Sequence, residues 1–516
     1  MRNLPLLLLA LSLASTAQAK VTLASLFADH AILQREKPVP VWGWADPGEK
    51  VTVSFAGQKK EVKGDAHGKW IATLDPLQAS AHPQELIVAG SNTLRIKDVL
   101  VGEVWLCSGQ SNMGLTVSRA LNAKKEIAEA NEPLIRMYTV QSGPATTPQE
   151  QCLGPWQLTT PANVPSFSAT AYFFGRHLFA DLKVPIGLIN SSVGGTAIEA
   201  WTSMEAMRGQ RELQKTLQSW DDAIAQYEKP ENQAKNEAAL AQWKANTSKD
   251  KSSRPPTLIG RSPTDTNRPA NLFNGKIAPL IPFAIRGAIW YRGESNSGKG
   301  PLYAVQLPLL IKDWRSRWRE ELPFAWVQLP NYLKKIDAPQ GPATWARLRE
   351  AQAKTLSVAN TGMTVNLDIG EEGNIHPQNK QEIGRRLSLW ARAKVYGEKI
   401  PYSGPLYESH EIKGSEITIH FQHTNGGLKT SDGAKELQGF AIADEAQNWR
   451  WAKAIIQGDS VVVSSPEIKQ PAAVRYAWAN NPNVNLVNGA DLPAGPFRTD
   501  DWPLDNESMP MRAAKK

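Results

Sequence analysis

The chain has very little cysteine: two residues, Cys107 and Cys152, in 516. A disulfide-stapled scaffold is therefore excluded, and a single Cys107–Cys152 bond is the most that an oxidising compartment allows. Cys107 ends an apolar run, where a buried free thiol is at least as reasonable. No Cys-x-x-Cys occurs, so the sequence calls for no metal, and no motif calls for a cofactor. Histidine is scarce too, at eight residues. Beyond the first 19 residues nothing approaches the roughly 20 consecutive apolar positions of a membrane helix. Blocks of Lys and Arg are missing. The net +8, or +7 once Arg2 is removed, is spread along the chain like an ordinary solvated surface, and nucleic acid is not implied.

What is present begins with a leader. Met1-Arg-Asn-Leu-Pro, an apolar core over 6–11 and the small-x-small site Ala17-Gln18-Ala19 read as a secretory signal peptide over 1–19. No cysteine follows the site, which argues against a lipid anchor. The mature chain is expected in a periplasm or outside the cell, with no membrane contact once the leader is cleaved. From 20 to 97, short strand patterns such as Val39-Pro-Val-Trp-Gly-Trp44 alternate with Pro-Gly, Ala-Gly and His-Gly breaks, predicting a β-sandwich. Apolar runs near 104–106, 186–189, 288–291, 324–328 and 363–367 then alternate with helical stretches. That pattern predicts a three-layer α/β/α domain on a parallel sheet over 98–202 and 257–400. Residues 203–256, rich in Ala, Gln, Glu, Lys and Trp, read as a helical insertion. β-patterning returns over 401–510, as in Glu416-Ile-Thr-Ile-His-Phe421. No motif speaks to oligomeric state.

Four of the predicted strand ends carry polar turns. The first is Cys107-Ser-Gly-Gln-Ser-Asn-Met-Gly114, which puts Ser111 on a strand-to-helix turn suited to a nucleophile. The second, Asn190-Ser-Ser-Val-Gly-Gly-Thr196, offers backbone N–H groups at Gly194 and Gly195. The third, Tyr291-Arg-Gly-Glu-Ser-Asn296, supplies Asn296 as an oxyanion donor and Glu294 to orient an imidazole. The fourth supplies the base. Of the eight histidines, seven fall in the β units or an amphipathic helix. His376 alone leaves a predicted parallel strand through a polar loop, and a helix with an apolar stripe of Ile383, Leu387, Ala391 and Val395 follows it.

Together, Gly-Gln-Ser-Asn-Met, Gly-Gly-Thr-x-x-Glu-Ala-Trp, Asn-Gly-Lys-Ile-x-Pro-Leu, Ile-Trp-Tyr-x-Gly-Glu-Ser-Asn and Ile-His-Pro-x-Asn-Lys-Gln resemble the sialate O-acetylesterase family, of the Ser-Gly-Asn-His type. The resemblance covers nearly the whole mature chain. It implies a metal-free hydrolase that removes O-acetyl groups from sugars, with Ser111 as nucleophile and His376 as base. It also implies Gly194 or Gly195, with Asn296, as oxyanion donors. Two departures stand out. Arg292 occupies a position that is often Gln in relatives, and Asn374 one that is often Asp. The orienting carboxylate is consequently open among Glu294, Asp368, Glu371 and Glu372, with Glu294 favoured and Asp368 next. Gln110, Asn112, Arg292 and Trp201 are the expected substrate contacts. The partner is an acetylated glycan. A sialic acid fits a cationic pocket containing Arg292; neutral xylan or xyloglucan fits tryptophan platforms at Trp201, Trp290 or Trp345, and the 18 tryptophans suit stacking on sugars. A non-catalytic carbohydrate-binding protein is the rival reading, resting on Arg292 and Asn374.

Overall fold

The structure is a computed structural model that describes residues 20–247, 255–339, 341 and 343–504. The leader over 1–19 and the last residues lie outside the described residues, as does most of the polar exit from the insertion.

The N-terminal unit packs two sheets. Val39–Trp44 pairs with Thr22–Leu23 and Lys69–Leu74. The facing layer contains Lys50–Phe55, Gln58–Lys63 and Ser80–Ala89. Alternation decides which side chains enter: Val51, Val53 and Phe55 are buried, while Thr52 and Ser54 stay half-exposed. The next strand, Thr93–Gly109, runs 17 residues without a break. Its first half pairs with Ser80–Ala89 and Ile32–Gln34, and its second half is the central strand of the α/β sheet. The junction at 97/98 thus falls inside a strand.

The α/β sheet runs Trp156–Thr159, Glu132–Thr139, Ile186–Ser192, Thr93–Gly109, Gly287–Tyr291, Phe324–Val327, Thr361–Thr364. The first is antiparallel to its neighbour and the other six are mutually parallel. Both faces are covered, so these strands are apolar on both sides. Trp105, Cys107, Ile289 and Tyr291 meet Phe173, Phe174, Ile383, Leu387 and Trp390 on helices Ala169–Leu182 and Lys380–Lys394. Leu106, Ala288, Trp290 and Trp326 face Leu307, Leu310, Trp314 and Leu348 on helices Gly300–Trp318 and Thr344–Lys354. Each buried Leu, Ile or Phe among these contributes about 1.5–3 kcal/mol over leaving it exposed. Cys107 and Cys152 are separate buried thiols, and Cys152 Sγ faces the hydroxyls of Tyr138 and Ser25 at 3.4 and 3.5 Å.

The 203–256 segment supplies helices Met204–Arg208, Gln214–Tyr227 and Pro230–Thr247. Leu217, Trp220 and Ile224 form the buried stripe of the second. Beyond 401, a four-stranded sheet built on Leu406–Lys413 and Glu416–Gln422 lies beside another containing Phe440–Ala443 and Ala473–Tyr476. The buried Arg349 guanidinium ties this unit to the α/β sheet by donating to the carbonyls of Leu329, Pro330, Ala479 and Asn480 at 2.7–2.9 Å.

At the other junction the fully buried Glu103 carboxylate accepts from Arg35 Nε at 2.5 Å, Arg286 Nε at 2.7 Å and Gln34 Nε2 at 3.1 Å. Desolvation alone would raise its pKa; these donors and cations prevail and hold it below the usual range. Stability from this depression is present above the unfolded carboxylate value and is lost as pH falls through the depressed one. Glu103→Gln is expected to cost about 3–5 kcal/mol, because two guanidinium groups lose their buried partner and keep only the exposed Glu36. Denaturant unfolding checks this, and a change under 1 kcal/mol would refute it.

Candidate active site

Four loops converge where the parallel strands end. The nucleophile turn is set by glycine. Gly109 has φ +143°, and a Cβ there would lie 2.2 Å from the Tyr291 carbonyl oxygen, so a side chain cannot replace it. Gln110 N–H then donates to that same carbonyl at 3.1 Å, and Ser111 opens the short helix Ser111–Gly114. His376 arrives from the loop that follows Thr361–Thr364. Its Nε2 lies 2.8 Å from Ser111 Oγ, across 265 positions of sequence. The His376 backbone N–H donates to Asn374 Oδ1 at 3.0 Å, and the preceding carbonyl, of Ile375, accepts from Asn112 Nδ2 at 3.0 Å. Burial lowers the imidazole pKa, and the nearby cations Lys380 and Arg119 lower it further, which favours the neutral base.

The carboxylates are placed differently from expectation. Glu294 is buried and accepts from Asn112 Nδ2 at 2.5 Å, not from the histidine. Asp368 forms a two-pronged pair with Arg386 at 2.7 and 2.6 Å. Glu371 accepts from Asn374 Nδ2 at 2.9 Å and Gln378 N–H at 2.7 Å. Among the described residues no carboxylate hydrogen-bonds or ion-pairs with the His376 ring. Glu294 and Asp368 as direct orienting acids are corrected accordingly: one is spent on an amide, the other on an arginine.

Gly194 abuts Ser111; a Cβ on it would stand 3.3 Å from Ser111 Cβ. Among the described residues no hydrogen bond engages the N–H of Gly194 or Gly195. Both are exposed. The turn that carries them is braced from behind. Arg292 donates to the Thr196 carbonyl, Trp201 Nε1 donates to Thr196 Oγ1 at 3.0 Å, and Asn267 Oδ1 accepts from Ala197 N–H at 2.6 Å. Asn296 belongs to this bracing. Its Oδ1 accepts from Ile198 N–H at 3.1 Å and its Nδ2 donates to Glu199 at 3.2 Å, so its amide is occupied away from the nucleophile.

Three expected substrate contacts are corrected by burial. Arg292 and Trp201 are wholly enclosed; Trp201 packs edge-on against Trp290, and Trp345 is core as well. Asn112 is also fully buried. Gln110 is nearly so, but its Oε1 has no protein partner. The groove that reaches the Gly195 side has a volume of about 480 Å3. It is walled by Ala197, Asn267, Lys299, Arg261 and Trp220, with the Arg261 guanidinium 4.2 Å over the Trp220 ring. Its cations are Arg261, from the loop that leaves the insertion, and Lys299, at the end of the turn Glu294–Lys299; sequence reasoning passed over both. Lys380 was also missed, although it stands in the same motif as His376.

Among the described residues, no cluster of His, Cys, Asp and Glu is arranged to hold a metal, and no helix is long and apolar enough to cross a membrane.

The family described as carbohydrate esterase, sialic acid-specific acetylesterase matches residues 101–249. The sialate O-acetylesterase of Homo sapiens is 32% identical over 92% of this chain and 91% of its own length. That of Mus musculus is 30% identical over 92% of this chain and 93% of its own. Among solved structures, a carbohydrate acetylesterase from Xanthomonas citri superposes with a TM-score of 0.80 at 36% identity, covering 94% of this chain and all of that one. With identity at this level over more than nine-tenths of its length, the chain belongs to the sialate O-acetylesterase family and is a carboxylic ester hydrolase.

Proposed function

We propose that this chain is a secreted serine esterase that removes O-acetyl groups from sugars, with O-acetylated sialic acid as its substrate. The observation that carries the serine mechanism is the 2.8 Å contact between Ser111 Oγ and His376 Nε2 beside the free Gly194 N–H. His376 accepts the Ser111 proton as Oγ attacks the acetyl carbonyl. The oxyanion draws on the Gly194 and Gly195 N–H groups, and Gln110 lies alongside. His376 gives the proton to the departing sugar oxygen, leaving acetyl-Ser111; water, deprotonated by the same imidazole, then attacks that carbonyl, and the proton passes to Ser111 Oγ as acetate leaves. The leader over 1–19 supports secretion. The sialate preference rests on the Arg261 guanidinium, which has no ion-pair partner among the described residues and stands in the groove beside Gly195. An exposed cation there suits a sugar carboxylate.

Ser111→Ala and His376→Ala should each lower the hydrolysis of an aryl acetate about 10³-fold or more at unchanged unfolding temperature. Retained activity in the serine variant would end the mechanism, and no hydrolysis by the parent would favour a non-catalytic glycan binder. Acetate release from 9-O-acetylated sialic acid should exceed that from acetylated xylan or xyloglucan oligosaccharides. Arg261→Ala should raise KM for the acidic sugar about tenfold and leave aryl acetate untouched; a preference for the neutral glycans would transfer the proposal to hemicellulose. Because only neutral His376 accepts a proton and its pKa is lowered, the acid limb of kcat/KM should fall below the ordinary imidazole value of about 6.5. A midpoint above 7 would contradict that assignment.

A further inference from the structure

A buried lysine, an amide and a carboxylate lie directly behind the proposed nucleophile and base, and the acyl-transfer steps above use none of them. Lys380 Nζ donates to Asn112 Oδ1 at 2.7 Å. Asn112 Nδ2 in turn donates to Glu294 Oε1 at 2.5 Å and to the Ile375 carbonyl at 3.0 Å. Lys380 and Asn112 have no solvent exposure and Glu294 has 4%. Asn112 follows Ser111 in the chain, and Ile375 precedes His376. One amide therefore straps the nucleophile turn to the base loop. Its orientation is not free, since a cation faces its oxygen and an acid its nitrogen, and a flipped amide would oppose both.

We propose that Lys380, Asn112 and Glu294 are positioning residues that hold His376 against Ser111, in place of a carboxylate on the imidazole. The inference rests on the Ser111–His376 reading. Asn112 is the strap, and Lys380 and Glu294 fix its polarity. Lys380 has a second effect, through its charge. The groups around it are Glu294 and the Tyr291 ring from one strand end, Glu371 from the loop before the base, and His376 itself. Arg292 acts on Glu294, and Arg119 also acts on His376. Burial brings the Lys380 pKa down to about 7, with Glu294 and Glu371 opposing the fall. Through the acid limb of activity Lys380 is still a cation, and it disfavours a second positive charge on His376.

The test is steady-state kinetics of aryl acetate hydrolysis against pH on the full chain. Asn112→Asp keeps an acceptor for Lys380 and loses both donated bonds. It should lower kcat about 10- to 100-fold with KM within about twofold. Lys380→Met should lower kcat about tenfold and move the acid limb to higher pH, a shift that a merely structural role would not give. Adding Glu294→Gln to Lys380→Met should recover kcat to within about threefold of the parent, because glutamine accepts the same bond without a counter-charge; the acid limb should stay displaced. If Lys380→Met does not fold, the double variant and Asn112→Asp carry the test. Parental kcat and an unmoved acid limb in Asn112→Asp and in the lysine variants overturn the proposal. Failure of the underlying reading is separate: it shows as activity in Ser111→Ala and no labelling of the parent by a fluorophosphonate.

Discussion

The Thr93–Gly109 strand is the constraint on which the site depends. It is held by the N-terminal sheets along its first half and by Ile186–Ser192 and Gly287–Tyr291 along its second. It ends where Gly109 and Gln110 close on the Tyr291 carbonyl. The position of Ser111 is thus set by hydrogen bonds to two neighbouring strand ends and by a backbone angle open only to glycine. A loop could not hold a hydroxyl to that tolerance, and acyl transfer is sensitive to displacements of about 1 Å. The β-rich unit therefore anchors the far end of the strand that presents Ser111, and in the proposed mechanism that is its contribution.

The second feature is how buried charge is used. Around the site, several buried polar side chains brace backbone. Arg292 reaches the Thr196 carbonyl, Asn296 clasps 198–199, and Arg386 captures Asp368 while also donating to the Val365 carbonyl at 2.7 Å. Each bond fixes a loop that would otherwise sample several conformations, and ordering costs roughly 1–2 kcal/mol per residue. The Gly194–Gly195 turn shows why this matters. Its exposed N–H groups can serve an oxyanion only if they are already aimed, and glycine supplies no rigidity of its own. The rigidity is lent from behind, by Arg292, Trp201, Asn267 and Asn296.

These facts explain which parts were legible in the sequence. The central strands were, because burial on both faces gives unmistakable apolar runs, and so was the pairing of Ser111 with His376, since both leave parallel strands at the same edge. Strand Glu132–Thr139 was not. It carries Arg136, whose charge breaks the apolar run and is neutralised only by a distant partner, Asp98, at 3.0 Å. The roles of Arg292, Trp201, Asn112 and Asn296 were misjudged for one common reason. Polar residues at a strand end can point outward to a ligand or inward to brace a loop, and type and spacing are identical in the two cases. Arg261 and Lys299 were invisible for the opposite reason, as the groove they line is assembled from the insertion, its exit loop and a strand-end turn.

The missing carboxylate on His376 follows from the same economy of charge. Asn374 stands where an acid would be expected, and its own amide is fixed by Glu371. An Asp there would face Glu371 across that 2.9 Å contact, and two carboxylates so close resist joint ionisation. The loop instead keeps one acid and one amide, and the amide oxygen accepts the His376 N–H, fixing the backbone rather than the ring. Without a negative partner the imidazolium formed on proton transfer is stabilised less, so the geometry must supply more of the rate. In the proposed mechanism a base of lowered pKa, held at 2.8 Å from the Ser111 hydroxyl with cations Lys380 and Arg119 near it, returns its proton readily to the leaving sugar oxygen. The electrostatic disadvantage in the first half of each step is in this way an advantage in the second.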